Sequence, residues 1–241
     1  MIQFLVSVRD AAEAGIVCQS GASIIDVKEP DRGSLGRAPW SAIEGVVRTV
    51  RERNASMPVS VALGELAEMD VDDCRDWQRH LSGASFAKIG LADAPEDWQD
   101  KWCTVMTNLP GETQRVAVAY ADWETANAPD PLEVIRFASQ QRCRAVLIDT
   151  FEKSGGGLLD RLSKVQVKRL IDTIHDNGMQ SAMAGSLDIT AIETLLPMKP
   201  AIVAVRGAVC RGDRTSAIDA ERVRSLSRLI SEKAMSLHDP R

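Results

Sequence analysis

Short apolar segments alternate with amphipathic segments along the whole chain. The apolar segments predict eight β-strands, at 2–8, 23–28, 58–63, 85–90, 114–120, 145–150, 179–184 and 201–206. The amphipathic segments predict eight helices, at 10–20, 39–53, 72–83, 95–106, 130–141, 164–177, 188–196 and 219–235. Regular alternation of strands and helices is typical of a parallel sheet built from βα units, so the pattern predicts an α/β fold.

The number of βα units favours one architecture within that class. Eight units in 241 residues match a (βα)8 TIM barrel, which usually has about 250 residues. Some strands, such as 201–205, are apolar on both faces, as expected when the barrel interior lies on one side and helices cover the other. An open, doubly wound sheet is the alternative. No long linker divides the chain, so residues 1–241 are predicted to form a single domain.

Charge and hydropathy narrow the choice of partners. The net charge is −5 and the basic residues are dispersed, which argues against nucleic acid as a partner. No apolar run approaches the ~18 residues that a membrane span needs, and residues 1–10 lack the features of a signal peptide. We therefore expect a cytoplasmic protein without a membrane partner. A homo-oligomer is compatible with the sequence, which does not determine the oligomeric state.

The residue types that bind metals or form disulfides are scattered. Five cysteines lie at wide spacings with no Cys-x-x-Cys pair: Cys18, Cys74, Cys103, Cys143 and Cys210. The histidines are equally far apart: His80, His175 and His238. Neither a Gly-x-Gly-x-x-Gly segment nor a Walker pattern is present. The sequence therefore predicts no metal, no nucleotide and no other cofactor.

Ionisable residues lie at or near the ends of three apolar strands. Lys28, Lys88 and Asp149 belong to the second, fourth and sixth strands. In a barrel, catalytic residues come from the carboxyl ends of strands, and alternate strands supply side chains at similar depth, so we expect these three to share a site. Asp26 shares the face of Lys28, two residues away, and could hold it in place. Each residue alone could instead be an exposed strand end or a salt-bridge partner.

Lysines in such a site suggest iminium chemistry. A neutral Lys28 amine can add to an aldehyde or ketone, and Lys88 is then a candidate base for the adjacent proton. Burial and the second lysine lower the pKa of Lys28 whereas the carboxylates oppose that effect, so sequence alone does not give the sign of the sum. Asp149 could orient an amine or donate a proton. The glycine-containing loop 150–160 is expected to be mobile and to carry Lys153 towards substrate, with an ordinary solvated loop as the alternative.

Glycines after the last two strands suggest an anion site. Barrels frequently bind phosphate on the loops after strands seven and eight, where backbone N–H groups approach the anion. The candidate phosphate-binding residues are Gly185, Ser186, Arg206, Gly207 and Ala208. Arg206 could face either the phosphate or a helix carboxylate, and the glycines could merely relieve crowding at turns. The pattern favours a small phosphorylated aldehyde or ketone as the substrate.

Several segments together resemble the (5-formylfuran-3-yl)methyl phosphate synthases of methanofuran-type cofactor biosynthesis, found in methanogens and methylotrophic bacteria. These segments are Leu5–Asp10, Ile25–Pro30 with Gly33–Gly36, Ala87–Gly90 and Asp149–Lys153. The resemblance implies a lysine-dependent barrel that condenses two molecules of glyceraldehyde 3-phosphate, with loss of phosphate and water, into a phosphorylated furan aldehyde. It also implies that Lys28 is the Schiff-base lysine, that Lys88 accepts the proton, and that Asp149 and Lys153 support catalysis.

Two other functions remain open from the residues themselves, which imply only iminium chemistry on a small phosphorylated carbonyl compound. One is a class I aldolase or transaldolase that uses the same lysine on another sugar phosphate. The other is a non-catalytic sensor of phosphorylated metabolites on a barrel scaffold. Product analysis distinguishes an aldolase or transaldolase from a furan-phosphate synthase. Borohydride trapping with substrate distinguishes a sensor from either enzyme.

Overall fold

The computed structural model describes residues 2–236, within which eight parallel strands close into a barrel. Each strand pairs with its neighbour in the chain, and the first pairs with the last. The strands are β1 (Gln3–Val8), β2 (Ile24–Val27), β3 (Val59–Glu65), β4 (Phe86–Gly90), β5 (Gln114–Tyr120), β6 (Ala145–Asp149), β7 (Gln180–Met183) and β8 (Ile202–Val205). The predicted TIM barrel is confirmed. The predicted single domain, 1–241, extends beyond the described residues and stays a prediction.

Helices lie between successive strands and after the last strand. They are α1 (Ala11–Cys18), α2 (Trp40–Arg53), α3 (Trp77–His80), α4 (Trp98–Met106), α5 (Pro131–Gln140), α6 (Leu158–Arg161), α7 (Lys164–Asp176), α8 (Ile189–Leu195) and α9 (Ala220–Ser236). Aspartates cap several of them; for example, Asp10 Oδ1 accepts from the N–H of Glu13 at 2.9 Å, and Asp188 Oδ1 accepts from the N–H of Ala191 at 2.7 Å. These contacts satisfy backbone donors that the first helical turn leaves unpaired.

The region between β3 and β4 differs most from the predicted pattern. A helix over 72–83 was expected, but the structure has a 3-10 turn at Asp72–Cys74 and then only the short α3. The Asp70 carboxylate accepts from the N–H of Asp72 at 2.9 Å, and such local bonds compete with helix formation. The second difference is α6, which begins directly after the glycine run of the 150–160 loop.

Side chains along the strands alternate between the barrel interior and the surrounding helices. Leu5 and Ile24 belong to the apolar cluster of the interior, whereas their neighbours Val6 and Ile25 belong to the larger cluster beneath the helices. Going towards the carboxyl ends of the strands, the next interior layer is polar, because Ser7, Asp26 and Ser60 lie side by side on β1, β2 and β3. The barrel interior is therefore apolar in its middle and polar at the mouth formed by the carboxyl ends of the strands.

Residues 2–236 contain neither a membrane-spanning helix nor a metal-binding cluster. No helix in this part of the chain has the length and apolar character to cross a membrane. The same residues contain no group of three or more histidine, cysteine, aspartate or glutamate side chains arranged to hold a metal ion. His80 lies 2.7 Å from a carboxylate oxygen of Glu44 and His175 lies 2.9 Å from the Ser181 hydroxyl, while His238 lies outside the described residues.

Candidate active site

A cavity of about 440 Å³ opens where the strands reach their carboxyl ends. Its volume is within the range of pockets that hold small molecules. The residues predicted to carry the chemistry all line it: Asp26, Lys28, Lys88, Asp149 and Lys153. So do the predicted phosphate-binding residues: Gly185, Ser186, Arg206, Gly207 and Ala208. The two groups of residues therefore face the same space.

Asp26 and Lys88 form a buried ion pair. Lys88 Nζ donates to Asp26 Oδ1 and, at 2.9 Å, to Ser60 Oγ, while Ser7 Oγ donates to Asp26 Oδ2 at 2.9 Å. Burial alone would raise the pKa of Asp26, but the charges of Lys88 and Lys28 outweigh burial and lower it. The expectation that Asp26 holds Lys28 is corrected, because the long Lys88 side chain reaches across β3 and takes the carboxylate.

Asp149 forms a second ion pair, with Lys153. Lys153 Nζ lies 2.8 Å from Asp149 Oδ1, which also accepts from the N–H of Thr150 at 2.8 Å. Burial favours the protonated carboxyl, but Lys153 and Lys28 favour the carboxylate more strongly, and the pKa of Asp149 falls to about 2. Lys153 thus already lies in the cavity, whereas the sequence suggested that a mobile loop would have to bring it there.

Lys28 is half-buried between the two ion pairs and belongs to neither. Among the described residues its Nζ has a single hydrogen-bond acceptor, the Ser34 carbonyl, at 3.4 Å. Burial lowers the pKa of the Lys28 amine, Asp149 opposes this, and Lys153 lowers the pKa further, which brings it to about 8. The sequence left the sign of this shift open. An amine with this pKa is partly neutral near physiological pH and is available as a nucleophile.

Two residues that support this arrangement were missed by the sequence analysis. Ser34 Oγ lies 3.0 Å from Asp149 Oδ2 and 2.9 Å from the Thr150 carbonyl, so the loop after β2 is tied to the end of β6. The Asp122 carboxylate accepts from the N–H groups of residues 151 and 152 at 2.7 and 2.9 Å. Asp122 follows β5 by two residues, so the strand-end signal that selected Asp149 could have found it.

The loops after β7 and β8 present free backbone donors. Within the described part of the chain, the N–H groups without a protein acceptor there include those of Gly185, Ser186, Gly207 and Ala208. Gly185 has a φ of +99°, and a Cβ there would lie 2.9 Å from Thr150 Cγ2, so this glycine is needed for packing. A Cβ at Gly207 would meet only Arg214 Cβ, at 3.9 Å. Crowding therefore accounts for Gly185 but leaves Gly207 unexplained.

Arg206 faces a helix carboxylate, one of the two orientations that the sequence left open. Its Nη1 and Nη2 donate to the Glu13 carboxylate on α1 at 2.8 and 3.1 Å. The remaining donors reach the carbonyls of Ser7 at 2.9 Å, Arg214 at 2.5 Å and Ser216 at 3.4 Å. The expectation that the Arg206 side chain binds phosphate is corrected, because protein acceptors occupy its guanidinium. Arg214, which also lines the cavity, was missed because its loop follows no sequence pattern.

Solved structures similar to this chain are also barrels that cover nearly all of it. A thiamine phosphate pyrophosphorylase from Pyrococcus furiosus is 13% identical, has a TM-score of 0.62 and matches over 96% of both chains. An orotidine 5'-monophosphate decarboxylase from Methanocaldococcus jannaschii is 12% identical, has a TM-score of 0.63 and matches over 95% of this chain and 99% of its own. At such low identity these likenesses show the fold alone.

Relatives with higher sequence identity share one protein name. A protein named (5-formylfuran-3-yl)methyl phosphate synthase from Methanosarcina acetivorans is 31% identical over 93% of this chain and 97% of its own length. One of the same name from Methanococcus maripaludis strain C7 is 36% identical over 87% of this chain and 91% of its own. The family model described as 4-HFC-P synthase matches residues 4–227. This chain belongs to the 4-HFC-P synthase family.

Proposed function

We propose that this protein condenses two molecules of glyceraldehyde 3-phosphate into (5-formylfuran-3-yl)methyl phosphate through a Schiff base on Lys28. The observation that carries the proposal is the Lys28 amine itself, which has a pKa of about 8 and lines a cavity with two ion pairs and unpaired backbone N–H groups. This combination suits a phosphorylated aldehyde, because the amine can attack the carbonyl while backbone donors bind the phosphate.

The first stage forms the carbon–carbon bond. The Lys28 nitrogen adds to the carbonyl carbon of one triose phosphate, and water leaves to give the iminium. Loss of the neighbouring proton then gives an enamine, whose carbon attacks the terminal carbon of the second triose, from which phosphate has left. We assign that proton transfer to Lys88. Because Lys88 forms an ion pair with Asp26, it can accept a proton only after passing one on, so the pair acts as a unit.

A phosphate must also leave, and the ring must become aromatic. Two triose phosphates contain the atoms of the furan phosphate plus one orthophosphate and two waters. In the second triose phosphate a proton leaves the carbon next to the aldehyde, and the carbon–oxygen bond to phosphate breaks with its electron pair on the phosphate, which gives the enal that the enamine carbon attacks. Ring closure of the joined product with loss of two waters then gives the furan. Lys153 is suited to neutralise the departing phosphate, and Asp149, 2.8 Å from Lys153 Nζ, to relay protons. Hydrolysis of the iminium frees Lys28.

With glyceraldehyde 3-phosphate as sole substrate and no added metal or nucleotide, we expect release of inorganic phosphate together with an ultraviolet-absorbing aldehyde. In Lys153→Ala, phosphate release should slow by about 10²-fold or more while iminium formation changes less, because Lys153 neutralises the departing phosphate and does not form the iminium. Lys168→Ala is the matched control, since Lys168 pairs with Asp172 on the exposed face of α7.

Two experimental outcomes would contradict this proposal and indicate another function. If the wild-type protein yields only a six-carbon aldol that keeps both phosphates, it is a class I aldolase. If borohydride traps no adduct with any triose phosphate, the protein is a sensor of phosphorylated metabolites, which has no need of a covalent intermediate.

The unpaired backbone donors after β7 and β8 are proposed to bind a substrate phosphate. Gly207→Val should raise the substrate KM by about 10-fold or more with little change in melting temperature, because a side chain at Gly207 projects into the cavity rather than into packed atoms. Gly111→Val is the matched control, since a Cβ there has no atom within 4 Å. A variant that unfolds readily but binds phosphate normally when folded would show that Gly207 is needed for packing.

A further inference from the structure

Arg214 lies at the mouth of the barrel, in the loop between β8 and α9. It lines the same cavity as Lys28 and Lys153 and is half-buried. Its Nη2 donates to the Gly33 carbonyl at 2.8 Å, in the loop after β2. The guanidinium therefore lies beside the loop after β2, and β1 separates β2 from β8 in the barrel.

No carboxylate in residues 2–236 forms an ion pair with Arg214. Asp149, Asp31 and Glu29 are close enough to stabilise its charge, but Asp149 is already bonded to Lys153 and Ser34. Burial outweighs these charges and lowers the pKa of the guanidinium. A half-buried cation with one neutral acceptor is unfavourable by itself and becomes favourable when an anion binds.

Hydrogen bonds from neighbouring side chains fix the backbone around Arg214. Arg206, itself paired with Glu13, donates to the Arg214 carbonyl at 2.5 Å and to the Ser216 carbonyl at 3.4 Å. The Asp213 carboxylate accepts from the N–H groups of residues 215 and 216 at 2.9 and 3.0 Å. The loop is thus built to fix one guanidinium over the cavity.

The charges in the cavity show what this guanidinium is needed for. The Lys88–Asp26 and Lys153–Asp149 pairs are each neutral overall, and Lys28 must lose its proton to act as a nucleophile. Arg214 is then the cation in the described site that no acidic side chain neutralises. Each phosphate monoester carries a charge of about −1.5 to −2 at pH 7. The free backbone donors after β7 and β8 lie on one side of the opening and suit one such group.

We propose that Arg214 binds a second phosphate, so that the site holds the phosphate groups of two triose phosphates at the same time. The inference rests on the proposed function, in which two triose phosphates are joined, and it assigns the second phosphate to a residue. Arginine suits this task because its planar fork makes two charge-assisted hydrogen bonds to phosphate oxygens, and Nε and Nη1 of Arg214 have no protein acceptor among the described residues.

The test compares two probes that cannot react with Lys28, a hexitol 1,6-bisphosphate and the corresponding hexitol 6-phosphate, by titration calorimetry. The wild-type protein should bind the bisphosphate more tightly. Arg214→Met should weaken bisphosphate binding by about 10- to 100-fold and leave monophosphate binding within about 2-fold. Arg214→Lys should restore part of the difference. Arg211→Met is the matched control, since Arg211 lies in the same loop, is exposed and pairs with Asp219.

Three results would overturn the inference. The first is a wild-type protein that binds both probes equally. The second is an equal loss of affinity for both probes in Arg214→Met, which would place Arg214 at the first phosphate site. The third is an unchanged affinity for both probes in Arg214→Met. Because the probes are inert, the result does not depend on furan formation, so failure of the condensation and failure of this assignment are separate outcomes.

Discussion

Replacing Lys28 by alanine is expected to abolish the borohydride-trapped adduct and to lower turnover by more than about 10⁴-fold, the scale seen when a covalent nucleophile is removed. The reason is that the two other lysines in the cavity are held in ion pairs, whereas Lys28 has only the Ser34 carbonyl, 3.4 Å away. Intact-mass measurement after borohydride treatment with glyceraldehyde 3-phosphate detects the adduct. Lys28→Ala should still fold, because Lys28 is not part of an ion pair.

The pH dependence of the wild-type protein gives an independent control. The neutral amine is the nucleophile, and burial lowers the Lys28 pKa to about 8. The rate of adduct formation should therefore rise about 10-fold per pH unit below pH 8 and level off above it. A rate that keeps rising beyond pH 10 would show an ordinary exposed lysine. An adduct that persists in Lys28→Ala and maps to Lys88 would transfer the nucleophile role to Lys88.

In Lys88→Met, turnover should fall by about 10²- to 10⁴-fold while an iminium still forms on Lys28. The change removes the group assigned to the proton transfer that follows iminium formation. The comparison is between the burst of borohydride-trapped adduct and the steady-state release of phosphate. An equal decrease in the adduct burst and in phosphate release would mean that Lys88 mainly adjusts the pKa of Lys28.

Loss of stability has to be separated from loss of catalysis in this variant. Lys88→Met leaves the Asp26 carboxylate buried without its partner, which destabilises proteins by about 3–5 kcal/mol. The double variant Asp26→Asn, Lys88→Met has no buried charge at these positions and should regain much of the free energy of unfolding. If it also regained turnover, Lys88 would have no part in the chemistry.

The strand-helix alternation predicted the barrel because each strand has its own apolar run, and the strand ends predicted which residues face the cavity. Lys28, Lys88 and Asp149 needed no long-range information, since the carboxyl ends of parallel strands in a barrel meet at one mouth. The 72–83 region failed because a local aspartate contact competes with the helix, an energy balance that periodicity does not contain.

Pairings within the site were beyond the reach of the sequence. Asp26 was assigned to Lys28, two residues away, but its partner is Lys88, 62 residues along the chain. The contact between Ser34 and Asp149 joins residues 115 apart. Such contacts depend on how far a side chain reaches across a neighbouring strand and on which loop folds over the mouth. Neither property produces a periodic pattern in the sequence.

The barrel is closed by its most distant parts, and this affects how the chain is made. β1 pairs with β8, and Glu13 meets Arg206, 193 residues later. At a synthesis rate of about 5–20 residues per second, roughly 10–40 s separate the emergence of these two residues from the ribosome. Throughout that interval one edge of β1 has no partner strand, and open edges pair with other chains. A ribosome that stalls before β8 would therefore leave a nascent sheet exposed to aggregation.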